Sequence, residues 1–138
     1  MPEAIIEPDL PIIDPHHHLW DRRPVMHLIP PPVHGFDHTS YRKGHYLLDQ
    51  LLEDTGSGHN IVATVYLECR SMYRADGPNE MKPVGETEFV NGVAAMAASG
   101  LYGKTLACAG IVSTAELLLG AEVGRVLDAH AAAGGARF

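Results

Sequence analysis

Three short apolar runs divide the chain, and a segment with helical spacing follows each of them. The runs cover residues 12–18, 61–69 and 105–112. The first has a brief apolar part that leads into histidines, whereas the other two are nearly continuous in apolar residues and the second is rich in β-branched ones. Such runs predict strands covered on both faces. Strands of this kind belong to parallel sheets, so we expect three parallel strands in the spatial order of the sequence.

The helical segments lie between the runs. Residues 46–54 carry apolar side chains at i, i+1, i+4 and i+5, and residues 86–98 carry a stripe formed by Phe89, Val93, Met96 and Ala97. Acidic residues at the start of the second segment, Glu86 among them, suit the helix dipole. The pattern Ser113-Thr114-Ala115-Glu116 is typical of a capping box and predicts a third helix, which passes through His130 near its end.

The alternation of strand and helix predicts the α/β class with right-handed crossovers. Residues 136–138 are interpreted as the start of a fourth strand. No Gly-rich phosphate-binding pattern follows the first strand, which disfavours a dinucleotide site.

Residues 21–45 separate the first strand from the first helix. Their prolines and glycines exclude a helix and a central strand. A loop of this length is a lid or substrate-binding loop in one interpretation and an ordinary surface loop in the other.

Composition narrows the classes of function. The chain has 138 residues, 46% hydrophobic and 20% charged, as expected for one globular domain. A net charge of -7 without a basic stripe argues against nucleic acid. We find no apolar run of membrane-spanning length and no signal peptide, so the expected location is cytoplasmic, with no membrane partner. Cys69 and Cys108 are interpreted as reduced core residues.

The first strand runs into three histidines, His16, His17 and His18. Alternate residues of a strand share a side, so His16 and His18 project together and His17 projects oppositely. Two imidazoles on one side can bind a divalent metal. The alternative is a solvated turn.

The second strand ends in Glu68-Cys69-Arg70. If the strand face shared by Thr64, Tyr66 and Glu68 looks into a barrel, Glu68 lies beside the histidine pair. The alternative is a structural ion pair between Glu68 and Arg70.

The stretch Ile13-Asp14-Pro15-His16-His17-His18-Leu19-Trp20 resembles the amidohydrolase superfamily, most closely its lactonase-like, amidohydrolase-related branch. The resemblance implies a (β/α)8 TIM barrel, which needs about 250 residues. The chain then corresponds to about three βα units, the N-terminal portion of one barrel domain without a second domain.

The resemblance also implies a metal-dependent hydrolase that attacks a lactone or related cyclic ester or amide with activated water. His16 and His18 would bind a divalent metal, with zinc the first expectation, although some lactonases of this branch work without one. Glu68 would be the catalytic residue in this portion, and Arg70 and Trp20 would contact a small-molecule substrate. Trp20 has a structural interpretation as well, as a buried core residue.

The remaining ligands and the general base would come from later strands, beyond Phe138. A decarboxylase of the same superfamily and a catalytically inactive partial barrel are the alternatives. Decarboxylases often carry Glu just before His-X-His, where this chain has Asp14-Pro15. The sequence determines neither the substrate nor the oligomeric state, and a homo-oligomer is one alternative.

Overall fold

The computed structural model describes residues 4–31, 33–35 and 44–138. Within them the fold is mixed α/β. The strands are β1 (Pro11–His17), β2 (Trp20–Asp21), β3 (His45–Tyr46), β4 (Asn60–Leu67) and β5 (Leu106–Val112). The α-helices are α1 (Leu48–Thr55), α2 (Val84–Ala98) and α3 (Val123–Gly134). Short 3-10 helices cover Arg23–Leu28, Asn79–Met81, Leu117–Glu122 and Gly135–Arg137.

The main sheet has the predicted arrangement. Its order is β1-β4-β5, and both neighbouring pairs are parallel. The register is interrupted in β1 between Asp14 and His17, where a bulge or irregularity separates the regular strand from the histidines. The carboxyl ends of all three strands therefore meet at one edge, where His18, Glu68 and Ser113 follow them.

The two faces of this sheet differ in burial. Thr64, Tyr66 and Ile111 are buried on one face, in or next to the core cluster formed with the helices. The register places Ile13 and Leu106 on the opposite face with Ala63, and Val112 there with Leu67. Ile13, Leu106 and Val112 are 60%, 51% and 52% exposed. The described elements thus cover only one of the two faces that the apolar runs predicted to be buried.

The loop expected over residues 21–45 contains regular structure. β2 and β3 form an antiparallel pair, with Trp20 opposite Tyr46 and Asp21 opposite His45. A 3-10 helix begins at Arg23, and Pro24 fits its first turn because the missing N–H has no helical partner there. The first helix begins at Leu48 rather than Tyr46. Residues 32 and 36–43 of the predicted loop lie outside the described part of the chain.

The C-terminal part departs from the predictions at two positions. Glu116, not Ser113, caps the helical segment, since its Oε1 accepts a hydrogen bond from the Leu118 N–H at 3.0 Å. The prediction that a fourth strand starts at residues 136–138 is wrong. Gly135–Arg137 is a 3-10 helix, and the Phe138 ring stacks on His130 with centroids 5.1 Å apart.

Across the described ranges, none of the helices combines the length and the apolar character that crossing a membrane requires.

Candidate functional site

His16 and His18 meet at the carboxyl end of β1. Their Nε2 atoms are 3.2 Å apart, and the ring centroids are 5.0 Å apart with the rings nearly perpendicular at 88°. His16 is exposed and His18 is half-buried. The spacing of two residues therefore brings the two imidazoles to one point in space, as the strand geometry predicts.

The hydrogen bonds of His18 fix its tautomer. Its Nδ1 lies 2.8 Å from the carbonyl oxygen of Leu67, and a carbonyl only accepts, so Nδ1 carries the proton. The Nε2 of His18 then presents a lone pair toward His16. A ring held in this way by a backbone carbonyl is typical of histidines that bind metals through the other nitrogen.

The separation of the two Nε2 atoms allows two states. With His16 protonated at Nε2, this nitrogen donates a hydrogen bond to His18. With His16 protonated at Nδ1, both Nε2 lone pairs are free for a metal. Zinc–nitrogen bonds of about 2.0–2.1 Å place neighbouring tetrahedral ligands roughly 3.3 Å apart, close to the observed 3.2 Å. The pair therefore fits two positions of a zinc site.

The described residues contain no cluster of three or more His, Cys, Asp or Glu side chains arranged to bind a metal. Asp14 is close in sequence, but its Oδ1 accepts a hydrogen bond from the His16 backbone N–H at 3.1 Å. Within this part of the chain, His16 and His18 could therefore supply two ligands to a metal.

A pocket of about 450 Å³ surrounds the pair. Trp20 and Tyr46 form one wall as a stacked pair, with ring centroids 5.6 Å apart. The Tyr46 hydroxyl donates to Asp54 Oδ2 of α1 at 2.6 Å. Burial, supported by this bond, raises the pKa of Tyr46, so the phenol stays neutral. Trp20 thus lines the pocket, as its predicted contact with a substrate requires.

Glu68 is directed elsewhere. Its Oε1 accepts hydrogen bonds from the Arg70 backbone N–H at 2.9 Å and from the Tyr73 hydroxyl, and Glu68 does not line the histidine pocket. Its predicted place beside the pair depended on Thr64 and Tyr66 looking into a barrel. That premise is wrong, because both are buried on the helix-covered face of the sheet.

Arg70 lies just past β4 with an exposed side chain. Among the described residues it forms no ion pair with Glu68, so the purely structural alternative is not observed. Its backbone has a φ of 64°, an unusual value for a residue with a side chain. Arg70 lines a second pocket of about 310 Å³ that shares Trp20 with the first.

Glu86 is a buried acidic residue that the sequence reasoning missed. It has no exposed surface, and its Oε1 accepts from the Tyr66 hydroxyl and from the backbone N–H groups of Cys69 at 3.0 Å and Ser71 at 3.1 Å. Its Oε2 is buried without a partner in the described residues. The carboxylate ties α2 to the loop that carries Glu68 and Arg70.

The glycine at position 85 is a sequence feature that indicates the contact between α2 and the loop after β4. A Cβ at Gly85 would lie 2.7 Å from the Met72 carbonyl oxygen and 2.8 Å from the Arg74 nitrogen. Glycine is the default residue where another backbone approaches closely, because it has no Cβ. Gly85 therefore marks where the loop after β4 packs on α2.

Two other histidines are buried structural residues. His17 Nε2 is 2.8 Å from Thr64 Oγ1, and burial lowers its pKa. The position of His130 near the end of its helix suits an interaction with the helix dipole. Instead its Nε2–H donates to the Thr114 carbonyl at 3.0 Å, its Nδ1 contacts Thr87 Oγ1 at 2.8 Å, and burial lowers its pKa.

The cysteines fit the interpretation as reduced core residues. Both thiols are free. Burial raises the pKa of Cys108 to about 12 and that of Cys69 to about 11, so neither is a thiolate near neutral pH.

Part of the chain is similar to an uncharacterized protein. No family model matches the chain, and no solved structure matches it. The uncharacterized protein y4mH of Sinorhizobium fredii is 34% identical over 91 residues, which cover 62% of this chain and 27% of that protein. The chain therefore spans only about a quarter of the length of this relative, whose name states no activity.

Proposed function

We propose that the chain is the N-terminal portion of a (β/α)8-barrel hydrolase resembling the lactonase-like branch of the amidohydrolase superfamily. The reaction is metal-dependent hydrolysis of a lactone or related cyclic ester or amide. One observation carries the proposal. The Nε2 atoms of His16 and His18 converge to 3.2 Å while the Leu67 carbonyl holds His18 Nδ1–H.

The donor set favours zinc among divalent metals. Neutral imidazole suits zinc, iron, nickel and copper, whereas magnesium and calcium prefer oxygen ligands. A catalytic zinc usually has three protein ligands and one open position. The remaining ligand belongs to a later strand in this proposal.

The arrangement of the sheet supports the barrel. β1, β4 and β5 are parallel and adjacent in chain order, as the first strands of such a barrel are. The face that carries Ile13, Leu106 and Val112 is apolar and exposed, which suits strands whose inner side packs against further strands. The relative y4mH is several times longer than the matched region, which is compatible with a longer protein.

The bound metal would supply the Lewis acid that polarises the carbonyl and activates water. His16 and His18 would hold it through Nε2, and the Leu67 carbonyl keeps His18 in the tautomer that this requires. The stacked Trp20 and Tyr46 rings exclude water from one side of the pocket. Arg70 binds a substrate carboxylate from the neighbouring pocket, which shares Trp20 with the histidine pocket.

The test uses the complete protein that contains this chain. Elemental analysis should find about one equivalent of a divalent metal, with zinc the first expectation. A panel of small lactones should be ring-opened by the protein. His16→Asn and His18→Asn should each lose the metal and at least about a hundredfold in kcat/KM, since even outer-sphere partners are worth 10–100-fold. His27→Asn is the control, because His27 is exposed on the 3-10 helix.

Metal content and lactone turnover that survive in both histidine variants would exclude the pair as the metal site. Release of carbon dioxide instead of ring opening would replace the hydrolase by the decarboxylase alternative.

A further inference from the structure

The second pocket, of about 310 Å³, contains two arginines, Arg22 and Arg70, and shares its Trp20 wall with the histidine pocket. We infer that Arg22 and Arg70 form a subsite for a carboxylate group of the substrate. The inference rests on the proposed hydrolase function, which places the reacting carbonyl in the neighbouring pocket. It specifies the substrate class as a small organic acid.

Arg22 is held in place by an aromatic ring and by its backbone. Its guanidinium carbon lies 5.3 Å from the centroid of the Trp20 ring. The backbone N–H of Arg22 donates to the Gly44 carbonyl at 2.7 Å. A guanidinium stacked on an aromatic face keeps its N–H groups free at its edges, in the planar fork that matches a carboxylate. In the described residues Arg22 forms no ion pair.

One carboxylate, that of Asp21, also lines the pocket. Asp21 is engaged by Arg23, whose Nε lies 2.9 Å from Oδ1 and whose Nη2 lies 2.7 Å from Oδ2. These hydrogen bonds lower the pKa of Asp21 to about 2. The pocket lining therefore carries the two guanidinium groups of Arg22 and Arg70 against the one carboxylate of Asp21, which favours an anion.

The loop that carries Arg70 is fixed before any ligand binds. Arg70 and Met72 have φ values of 64° and 53°, a conformation that residues other than glycine rarely adopt. The buried Glu86 carboxylate accepts the N–H groups of Cys69 and Ser71 on either side of Arg70. Strain held in this way by the surrounding structure is typical of binding sites, and preorganisation favours affinity.

The walls of the pocket favour an organic acid over a free phosphate ion. Val25 and Ile29 line it together with Trp20. Apolar walls beside two forked donors suit a carboxylate attached to a carbon skeleton.

The test is calorimetric titration of the complete protein with glutarate, inorganic phosphate and neutral glutaramide at constant ionic strength. Glutarate should bind more tightly than phosphate, and glutaramide should bind weakest. Arg22→Gln and Arg70→Gln should each weaken glutarate at least about tenfold, or roughly 1.4 kcal/mol. Arg22→Lys and Arg70→Lys keep the charge without the fork and should lose less. Arg74→Gln, an exposed arginine paired with Glu88 outside the pocket, should match the native protein.

Metal content separates this inference from the proposed function. Arg22→Gln and Arg70→Gln should retain the native zinc content, and His16→Asn should retain glutarate binding. No glutarate binding by the native protein, native affinity in the folded arginine variants, or a preference for phosphate would each overturn the carboxylate subsite. If glutarate binding depends on both arginines but the protein contains no zinc, the carboxylate subsite is supported and the proposed metal-dependent hydrolysis is rejected.

Discussion

Glu86 is the residue whose environment differs most from what its sequence position suggests. Glu86→Ala removes the acceptor for Tyr66, Cys69 and Ser71. The two backbone N–H groups lose this partner, and the Tyr66 hydroxyl keeps only its 3.5 Å contact with Cys69 Sγ. We expect a loss of about 3–5 kcal/mol in the free energy of unfolding, since each buried unsatisfied group costs about 1–3 kcal/mol. Chemical denaturation measures the change.

Glu88→Ala is the matched control, two residues further along the same helix. Glu88 pairs with Arg74 at the surface, and such pairs contribute less than about 1 kcal/mol. Equal losses in the two variants would show that the buried hydrogen bonds of Glu86 do not stabilise this loop.

His130 makes the stability depend on pH. Burial lowers its folded-state pKa below the ordinary 6.5, so the unfolded chain binds more protons in the interval between the two values. The stabilisation is complete above pH 6.5 and is lost as the pH falls through the folded-state pKa. We expect the free energy of unfolding to decrease on acidification below pH 6.5. NMR titration of the His130 ring tests the cause directly, and a folded-state pKa at or above 6.5 would contradict it.

The sequence could predict the histidine pair but not the buried acid. Side chains alternate in a strand, which predicts that His16 and His18 share a side. An acidic residue in the first turn of a helix has the same sequence pattern whether it faces water or a neighbouring loop. Only the contact between α2 and residues 69–71 distinguishes the two cases for Glu86.

At the scale of elements, two glycines of α2 have opposite roles. An added Cβ at Gly85 would lie within 3 Å of backbone atoms of Met72 and Arg74, whereas at Gly92 it would meet nothing within 4 Å. Gly85→Ala should destabilise the protein by about 1–3 kcal/mol through overpacking. Gly92→Ala should stabilise it by about 0.5–1 kcal/mol, because alanine favours the helix. Thermal unfolding of the two variants checks both signs, and a stabilising Gly85→Ala would show that the loop does not pack this closely.

The long elements were predictable and the short ones were not. β4 and α2 carry enough residues for periodicity to show, and their predicted positions are close to the observed ones. The β2–β3 ladder has two residues in each strand, too few for a period, and its pairing joins Trp20 to Tyr46 across the proline-rich segment. The segment at residues 135–138 carries no strand signal strong enough to outweigh the packing of Phe138 on His130.

At the scale of the whole molecule, the asymmetry of the sheet connects the fold with the proposed barrel. The helices cover the face with Thr64 and Tyr66, and the described residues leave Ile13, Leu106 and Val112 exposed on the other. Contiguous exposed apolar surface favours association with other surfaces. The strand edges of a three-stranded parallel sheet add unpaired backbone groups that invite aggregation.

Residues 1–138 expressed alone should therefore be catalytically silent and should aggregate, whereas the complete barrel protein of the proposal should be active and should not aggregate. In the described part of the chain, His16 and His18 supply two of the three protein ligands usual for catalytic zinc, so metal binding by the isolated segment should be weak. Replacing Ile13, Leu106 and Val112 by Thr in the isolated segment should reduce association, because each change removes apolar surface, worth about 25 cal/mol per Å², from contact with water. The same substitutions in the complete protein should lower its stability, since there these side chains are buried in the proposed barrel. Light scattering and chemical denaturation measure the two effects. A monomeric isolated segment that unfolds cooperatively, binds zinc tightly and opens lactones would instead show that these residues form a complete small enzyme.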